Sequence, residues 1–192
     1  FPSKVFSQIG ITTLDERLQK TLEPGAASPC QRLQAIENLA QLQILVHARL
    51  DPLVPGLTDT NENLETLLEE LGKQKVRSIA ASYIFLRPAF AQHLSEMLHQ
   101  FAHKNSSARA WSWHRLADGV GGGQMIGTAD RQERFHRLRA LAARHGISLH
   151  VCACKNPDLD LKTNCRIAGS VPNPTGENPL FEAADLNQET QP

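Results

Sequence analysis

The sequence predicts an α/β fold of parallel βαβ units, and three observations carry that expectation. Short apolar runs alternate with amphipathic helical segments from Val5 to Leu86. The links between them are short and rich in proline, glycine and capping residues. No apolar run reaches the roughly 18 to 20 residues that a membrane-spanning helix needs. Strand, helix, strand, helix, strand with short links implies parallel strands joined by right-handed crossovers. Three such strands cannot cover both faces and both edges of a sheet. Residues 1–90 are therefore expected to belong to a larger sheet or barrel.

Val5 to Ile11 (VFSQIGI) is the first expected strand, with a polar end at Thr12, Thr13 and Asp15. A short helical stretch from Leu14 to Leu22 follows, and Pro24, Gly25 and Pro29 then interrupt the chain. Ser28 is placed to cap a helix that has Pro29 at its first position. In that helix Leu33, Ile36, Leu39 and Ala40 recur on one face. Ile44, Leu45 and Val46 open a second strand that runs into Arg49, Asp51 and a rigid polar turn. Pro52 and Pro55 fix φ and lack an N–H, so an interior strand is expected to stop there. Gly56 permits positive φ or close approach of the backbone to a ligand. Thr58, Asp59 and Asn61 are candidate caps for a helix from Glu62 to Lys73, whose face carries Leu64, Leu67, Leu68 and Leu71. Val76 to Leu86 is the third expected strand, ended by Arg87 and Pro88. A strand ending in charge, then Pro-x-x-Pro-Gly, then a helix cap is where α/β enzymes hold small molecules. The plainer reading of the same residues is a tight βα turn in which Arg49 and Asp51 pair with each other.

Beyond the third strand, Pro88 to His103 reads as a helix with Leu94, Met97, Leu98 and Phe101 on one face. Gly119 to Gly127 is a glycine-rich loop, but it contains no dinucleotide or P-loop fingerprint. A helix from Asp130 to His145 is expected to turn Phe135, Leu138, Leu141 and Ala142 inward and several arginines outward, with Gly146 as C-terminal cap. Ile147 to Val151 is a fourth short strand leading to Cys152. Residues 91–170 thus read as a helical and cysteine-containing extension. Residues 171–192, rich in proline, acids and amides, read as a disordered tail.

Lysine plus arginine and aspartate plus glutamate each total 20, which leaves no global electrostatic footprint for nucleic acid. The charge is uneven, however. Between Lys104 and His150 the bases Lys104, Arg109, Arg115, Arg131, Arg134, Arg137, Arg139 and Arg144 outnumber the acids Asp118, Asp130 and Glu133. With Trp111 and Trp113 nearby, a face that stacks nucleic-acid bases is one reading. A solvated helix face is the commoner one. The N-terminus lacks the pattern of a signal peptide, so a cytoplasmic protein is expected, with no membrane partner. The chain opens on Phe1 and enters a strand almost at once, which reads as a piece of a longer protein.

Cys152-x-Cys154, followed by Cys165 after a turn-forming loop, is the sharpest chemical feature. Thiolates two apart on an extended segment can face one ion, and the third can return to it. Soft sulfur ligands suit an iron–sulfur cluster or zinc. The fourth ligand could be Cys30, His150, His145, a partner or a substrate. The alternative is that these are half-buried thiols with no metal.

Three segments resemble a known family. TTLDERLQKTLEPGAASPCQRLQAI, RLDPLVPGLTDTNENLETLL and VRSIAASYIFLRP are similar to the second half of a radical S-adenosylmethionine (radical SAM) domain. The likeness is to the branch related to spore photoproduct lyase, often described as DNA repair photolyase-like. The segment LHVCACKNPDLDLKTNCRIAG is similar to a C-terminal cysteine segment in some members. The resemblance spans about Val5 to Gly169. It implies a partial (β/α)6 barrel, of which this chain supplies the later strands and a C-terminal extension. It further implies S-adenosylmethionine bound beside a 4Fe-4S cluster, a 5′-deoxyadenosyl radical, and possible chemistry on a nucleic-acid lesion. The positions that would hold the methionine and ribose parts are Thr12, Thr13, Arg49, Asp51, Pro55, Gly56 and Ser82, with Tyr83 beside them. The family's CxxxCxxC cluster loop is absent from this sequence, so the expected partner is the other half of the barrel. Cys152, Cys154 and Cys165 follow the last expected strand. They suit an auxiliary iron–sulfur cluster, a zinc ion or hydrogen-atom donation to a substrate radical. The competing class is a non-catalytic, metal-stabilised α/β module that binds protein or nucleic acid through the arginine-rich helix and its tryptophans.

Overall fold

The computed structural model of the 192-residue chain describes residues 6–86, 113–115, 124–151, 155–156 and 158–159. Its elements run β1 (Phe6–Gly10), α1 (Glu16–Leu22), α2 (Pro29–Gln41), β2 (Leu45–Leu53), α3 (Asn61–Lys73), β3 (Ser78–Tyr83), β4 (Trp113–Arg115), β5 (Gln124–Ile126), α4 (Thr128–Arg144) and β6 (Ser148–Val151). The expected helix over 88–103, the three cysteines Cys152, Cys154 and Cys165, and the tail lie outside the described residues.

β1, β2, β3 and β6 form one parallel sheet in that order. The order follows the chain, so each crossover moves one strand along in the same direction. Crossovers of one hand then place α2, α3 and α4 on one face. The core agrees with this. Ile36 of α2, Leu64, Leu67, Leu68 and Leu71 of α3, and Phe135, Leu138 and Ala142 of α4 share one buried cluster with Val46, Ala48, Leu50, Ile79, Ala81 and Val151. Side chains alternate along a strand, so the residues between these point to the other face. There the paired positions Gly10, Arg49, Ala80 and His150 form one row across all four strands. Gln8, His47, Ser78 and Ser148 lie one step nearer the strand starts. One face is thus apolar and covered by helices, and the other is polar. β4 and β5, not foreseen from the sequence, pair antiparallel as a separate ribbon.

The helix ends follow local chemistry. Asp15 caps α1 by accepting from the backbone N–H groups of Arg17 and Leu18. Ser28 and Gln31 form the reciprocal capping box of α2, with Pro29 at the first position as expected. α3 is capped by Thr60, not by the expected Thr58, Asp59 or Asn61. Thr58 instead accepts from the N–H of Val54 at 2.7 Å inside the preceding turn, and Asp59 is buried.

α2, α3 and α4 end alike. Gln43, Lys75 and Gly146 adopt φ of 59°, 60° and 67°. The next residues, Ile44, Val76 and Ile147, each donate an N–H back to the helix, to Leu39, Leu71 and Ala142. These are three Schellman closures, each followed by an apolar residue that enters the sheet. Gly146 was visible in the sequence as such a cap. Gln43 and Lys75 were not, because side-chain-bearing residues disfavour the left-handed region.

Pro52 does not end β2, as the sequence suggested it should. The strand continues to Leu53 through a shift in register between Leu50 and Leu53, and the Asp51–Pro52 peptide is cis. A proline without an N–H is tolerated in an interior strand where such an irregularity interrupts the ladder. Ile84 restores pairing by donating to the carbonyl of Leu53 at 2.9 Å.

Candidate functional site

The C-terminal ends of the parallel strands gather most of the polar residues singled out in the sequence. At the end of β2, the Asp51 carboxylate is 7% exposed and has three partners. Ser82 Oγ, at the end of β3, donates to Oδ1 at 2.6 Å. Arg49, two residues back on the same face of β2, donates to Oδ2 at 2.5 Å. Lys155 Nζ reaches both oxygens, at 2.8 and 2.6 Å. Burial alone would raise the Asp51 pKa. The hydrogen bonds from Lys155, Ser82 and Arg49 and the charge of Lys155 outweigh it, and the carboxyl stays below the usual aspartate range. The pairing of Arg49 with Asp51 expected of a tight turn is present, and it lies within this larger group.

Lys155 comes from the segment after β6, and a buried arginine secures that segment. Arg131, in the first turn of α4, donates Nε to the carbonyl of Ile126 at 2.9 Å and an NH1 proton to Asn156 Oδ1 at 2.7 Å. It also pairs with Asp158, to which Thr128 donates as well. Burial would raise the Asp158 pKa, but the hydrogen bonds from Arg131 and Thr128 and the charge of Arg131 together outweigh it and hold the carboxyl below its ordinary range. Several arginines of this helix, Arg139 and Arg144 among them, do face outward as expected, but Arg131 does not. Arg131 is buried because it occupies the inward stripe that continues through Phe135 and Leu138.

A second carboxylate, Asp59, lies on the helix side of the β2–α3 loop and is only 1% exposed. Its Oδ1 accepts from the Gly56 N–H at 2.5 Å, and its Oδ2 accepts from Tyr83 Oη at 3.1 Å. Arg134 of α4 pairs with Oδ2, and Arg137 donates to the Asp59 carbonyl at 2.7 Å. Burial and the Asp59 charge push the Tyr83 phenol far above its ordinary pKa, which keeps it neutral and donating. This network binds α4 to the loop that carries Pro55 and Gly56.

The other expected ligand contacts have local duties. Thr12 and Thr13 are buried at the end of β1. The Thr12 carbonyl accepts from Asn63 Nδ2 at 2.8 Å, and the same amide donates to the Thr58 carbonyl at 2.6 Å, joining the first two loops. Thr13 Oγ1 accepts from the Asp15 N–H at 3.1 Å. Pro55 is buried, and Gly56, at φ of 71°, directs its N–H to Asp59. Glu23 pairs with Arg32, which also donates to the Gly10 carbonyl at 2.7 Å. Cys30 is an exposed thiol on the first turn of α2. Cys152, Cys154 and Cys165 lie outside the described residues. Among the described residues, no group of three His, Cys, Asp or Glu side chains is placed to hold a metal ion. No helix among them is long and apolar enough to cross a membrane.

No protein-family model and no curated protein matches this chain. The functional reading therefore rests on the residues and their geometry. The chain has no CxxxCxxC, so its cysteines do not fit the ligand set of a radical-generating 4Fe-4S cluster, and no radical step is derived from it. The Asp51 group does offer charges of both signs, which suit a zwitterionic ligand. Asp51 suits an ammonium and Arg49 a carboxylate.

The titrations predict a two-stage loss of stability on acidification. Burial, and then the neighbouring charge of His150, lower the His47 pKa. Its folded-state pKa is below the unfolded value, so its contribution is complete above about pH 6.5 and is lost as pH falls toward the folded pKa. Asp51 and Asp158 are depressed acids. Their contributions are complete above about pH 4 and are lost as pH falls through their lower folded pKa values. In urea titrations across pH, His47→Gln is expected to flatten the first stage and Asp51→Asn to reduce only the second. A His47→Gln curve parallel to wild type between pH 7 and 5 would contradict the first assignment.

Proposed function

We propose that this chain is the later part of a radical SAM-type partial (β/α) barrel and holds S-adenosylmethionine by its amino-acid end at the C-terminal edge of the sheet. One observation carries the reading. Asp51, Ser82 and Arg49 meet at the strand ends on the polar face of a sheet whose opposite face is packed by α2, α3 and α4. A sheet wound in chain order, with helices on one face and polar residues on the other, is what an arc of a barrel would have, and barrels bind ligands at the C-terminal ends of their strands. β1 is an edge strand of this sheet, and the preceding half of the barrel is the partner proposed to pair with it.

In this reading Asp51 accepts from the ligand ammonium, and Ser82 holds the carboxylate in orientation. Arg49 faces the ligand carboxylate. The Asp59 network fixes the β2–α3 loop, so that Pro55 and Gly56 present a rigid wall. S-adenosylmethionine, when reduced by a cluster, supplies an adenosyl radical, and that cluster would have to come from the other half of the barrel. The cysteine group after β6 remains a candidate for an auxiliary iron–sulfur or zinc site.

The competing reading, a nucleic-acid module built on α4, has weaker support. Arg131, Arg134 and Arg137 are turned to Asp158, Asn156 and Asp59, and Arg144 pairs with Glu65. Of the α4 arginines, only Arg139 makes no ion pair among the described residues. A helix whose cations are already paired has little to offer phosphate. Calorimetric titration of the chain is expected to show S-adenosylmethionine binding more tightly than 5′-methylthioadenosine, which lacks the amino-acid end. Equal affinity for the two, or no binding of S-adenosylmethionine, would overturn the proposal.

A further inference from the structure

We infer that Lys155 is an internal competitor for the ligand's ammonium and so weakens the binding of amino-acid-bearing ligands at the Asp51 site; the inference rests on the reading above. The carboxylate of Asp51 is saturated. Oδ1 accepts from Ser82 and Lys155, and Oδ2 accepts from Arg49 and Lys155. A cationic ligand can reach it only by displacing one of these donors. Ser82 is fully buried and shares the sheet with Asp51, so it cannot leave. Arg49 is on the same strand, and its side chain is 32% exposed. The Lys155 side chain is the most exposed of the three, at 45%, and arrives from a segment 104 residues away.

Lys155 is also the chemical match. It is an ammonium making a two-pronged contact, which is the contact an α-amino group would make with the same carboxylate. A flexible four-carbon stem can swing into water at low cost. Exchange of one ammonium for another keeps Asp51 paired throughout, so the carboxylate never faces a desolvated, unpartnered state. Ligands without a cation gain nothing from the exchange. Lys155 therefore sets the threshold that an amino-acid-bearing ligand must meet at Asp51, and leaves ligands without a cation unaffected. Arg131 acts through Lys155 as a positioning residue, because it holds Asn156 and Asp158 of the same segment.

The test compares wild type, Lys155→Met and Lys155→Arg in calorimetric titrations with S-adenosylmethionine and with 5′-methylthioadenosine. Loss of a partly exposed ion pair that competes with the ligand is expected to tighten S-adenosylmethionine binding about fivefold in Lys155→Met. Binding of 5′-methylthioadenosine should not change, and Lys155→Arg should stay near wild type. Weaker S-adenosylmethionine binding by Lys155→Met, or unchanged binding, would overturn the inference while leaving the site assignment intact. Absence of binding in all three proteins would overturn both.

Discussion

An Asp59→Ala variant is expected to lose about 3 to 5 kcal/mol of folding stability, the usual cost of breaking a buried ion pair by removing one partner. Asp59 is almost wholly buried and satisfies four groups at once: the Gly56 N–H, the Tyr83 hydroxyl, Arg134 and, through its carbonyl, Arg137. Alanine would keep the carbonyl contact alone. The Tyr83 hydroxyl would lose its acceptor in a place that water does not reach, and Arg134 would lose its countercharge while partly buried. Natural domains have about 5 to 15 kcal/mol in total, so the variant should be close to unfolding at ambient temperature. Urea denaturation checks this through a lowered midpoint at unchanged slope. Asp59→Asn should fall between wild type and Asp59→Ala, because its oxygen still accepts from the Gly56 N–H while its NH2 group replaces the oxygen that faced Tyr83 and Arg134, and the charge is gone. A loss below about 1 kcal/mol for Asp59→Ala would mean that the pair is no better than an exposed one.

Asp51→Asn is expected to have the opposite profile, with a large effect on binding and a smaller one on folding. The amide cannot carry the charge that an ammonium requires, and its NH2 group would face Ser82, Arg49 or Lys155. Truncation of one member of a desolvated charge pair costs about 2 kcal/mol or more, which corresponds to a loss of at least about thirtyfold in S-adenosylmethionine affinity. Arg49 and Lys155 are both partly exposed and can turn to solvent, so the loss of stability at neutral pH should be clearly smaller than that of Asp59→Ala. Calorimetry and a urea titration on the same preparation separate the two effects. Wild-type affinity in Asp51→Asn would remove Asp51 from the site.

Much of the fold was legible in the sequence because it rests on local rules. Ser28-Pro29 marked the start of α2, the leucines of α3 marked its buried face, and the strands were apolar runs of the right length. The boundaries that were missed turned on tertiary effects. Pro52 read as a stop, and only the register shift in β2 lets the strand pass it. Gln43 and Lys75 close helices in the left-handed region that glycine normally fills. The site was legible in part. Arg49, Asp51 and Ser82 follow from strand ends, and a parallel sheet brings strand ends together. Lys155 could not be read, since its partner is 104 residues away and nothing local gives that pairing. Asp59 was read as a helix cap, a reasonable duty for a loop aspartate, and its burial under Arg134 depends on where α4 packs. Arg131 did leave a signal. An arginine on the stripe that continues through Phe135 and Leu138 must either break the pattern or bring partners with it.

The measurement that bears most directly on the proposed site is amide hydrogen exchange of the whole chain with and without S-adenosylmethionine. Added ligand is expected to slow exchange at the strand ends and loops that carry Thr12, Thr13, Asp51, Gly56 and Ser82, and to leave the exposed side of α4 unchanged. Displacement of Lys155 should at the same time speed exchange around Asn156. No change at the strand ends, or protection confined to α4, would contradict a ligand site at the C-terminal edge of this sheet.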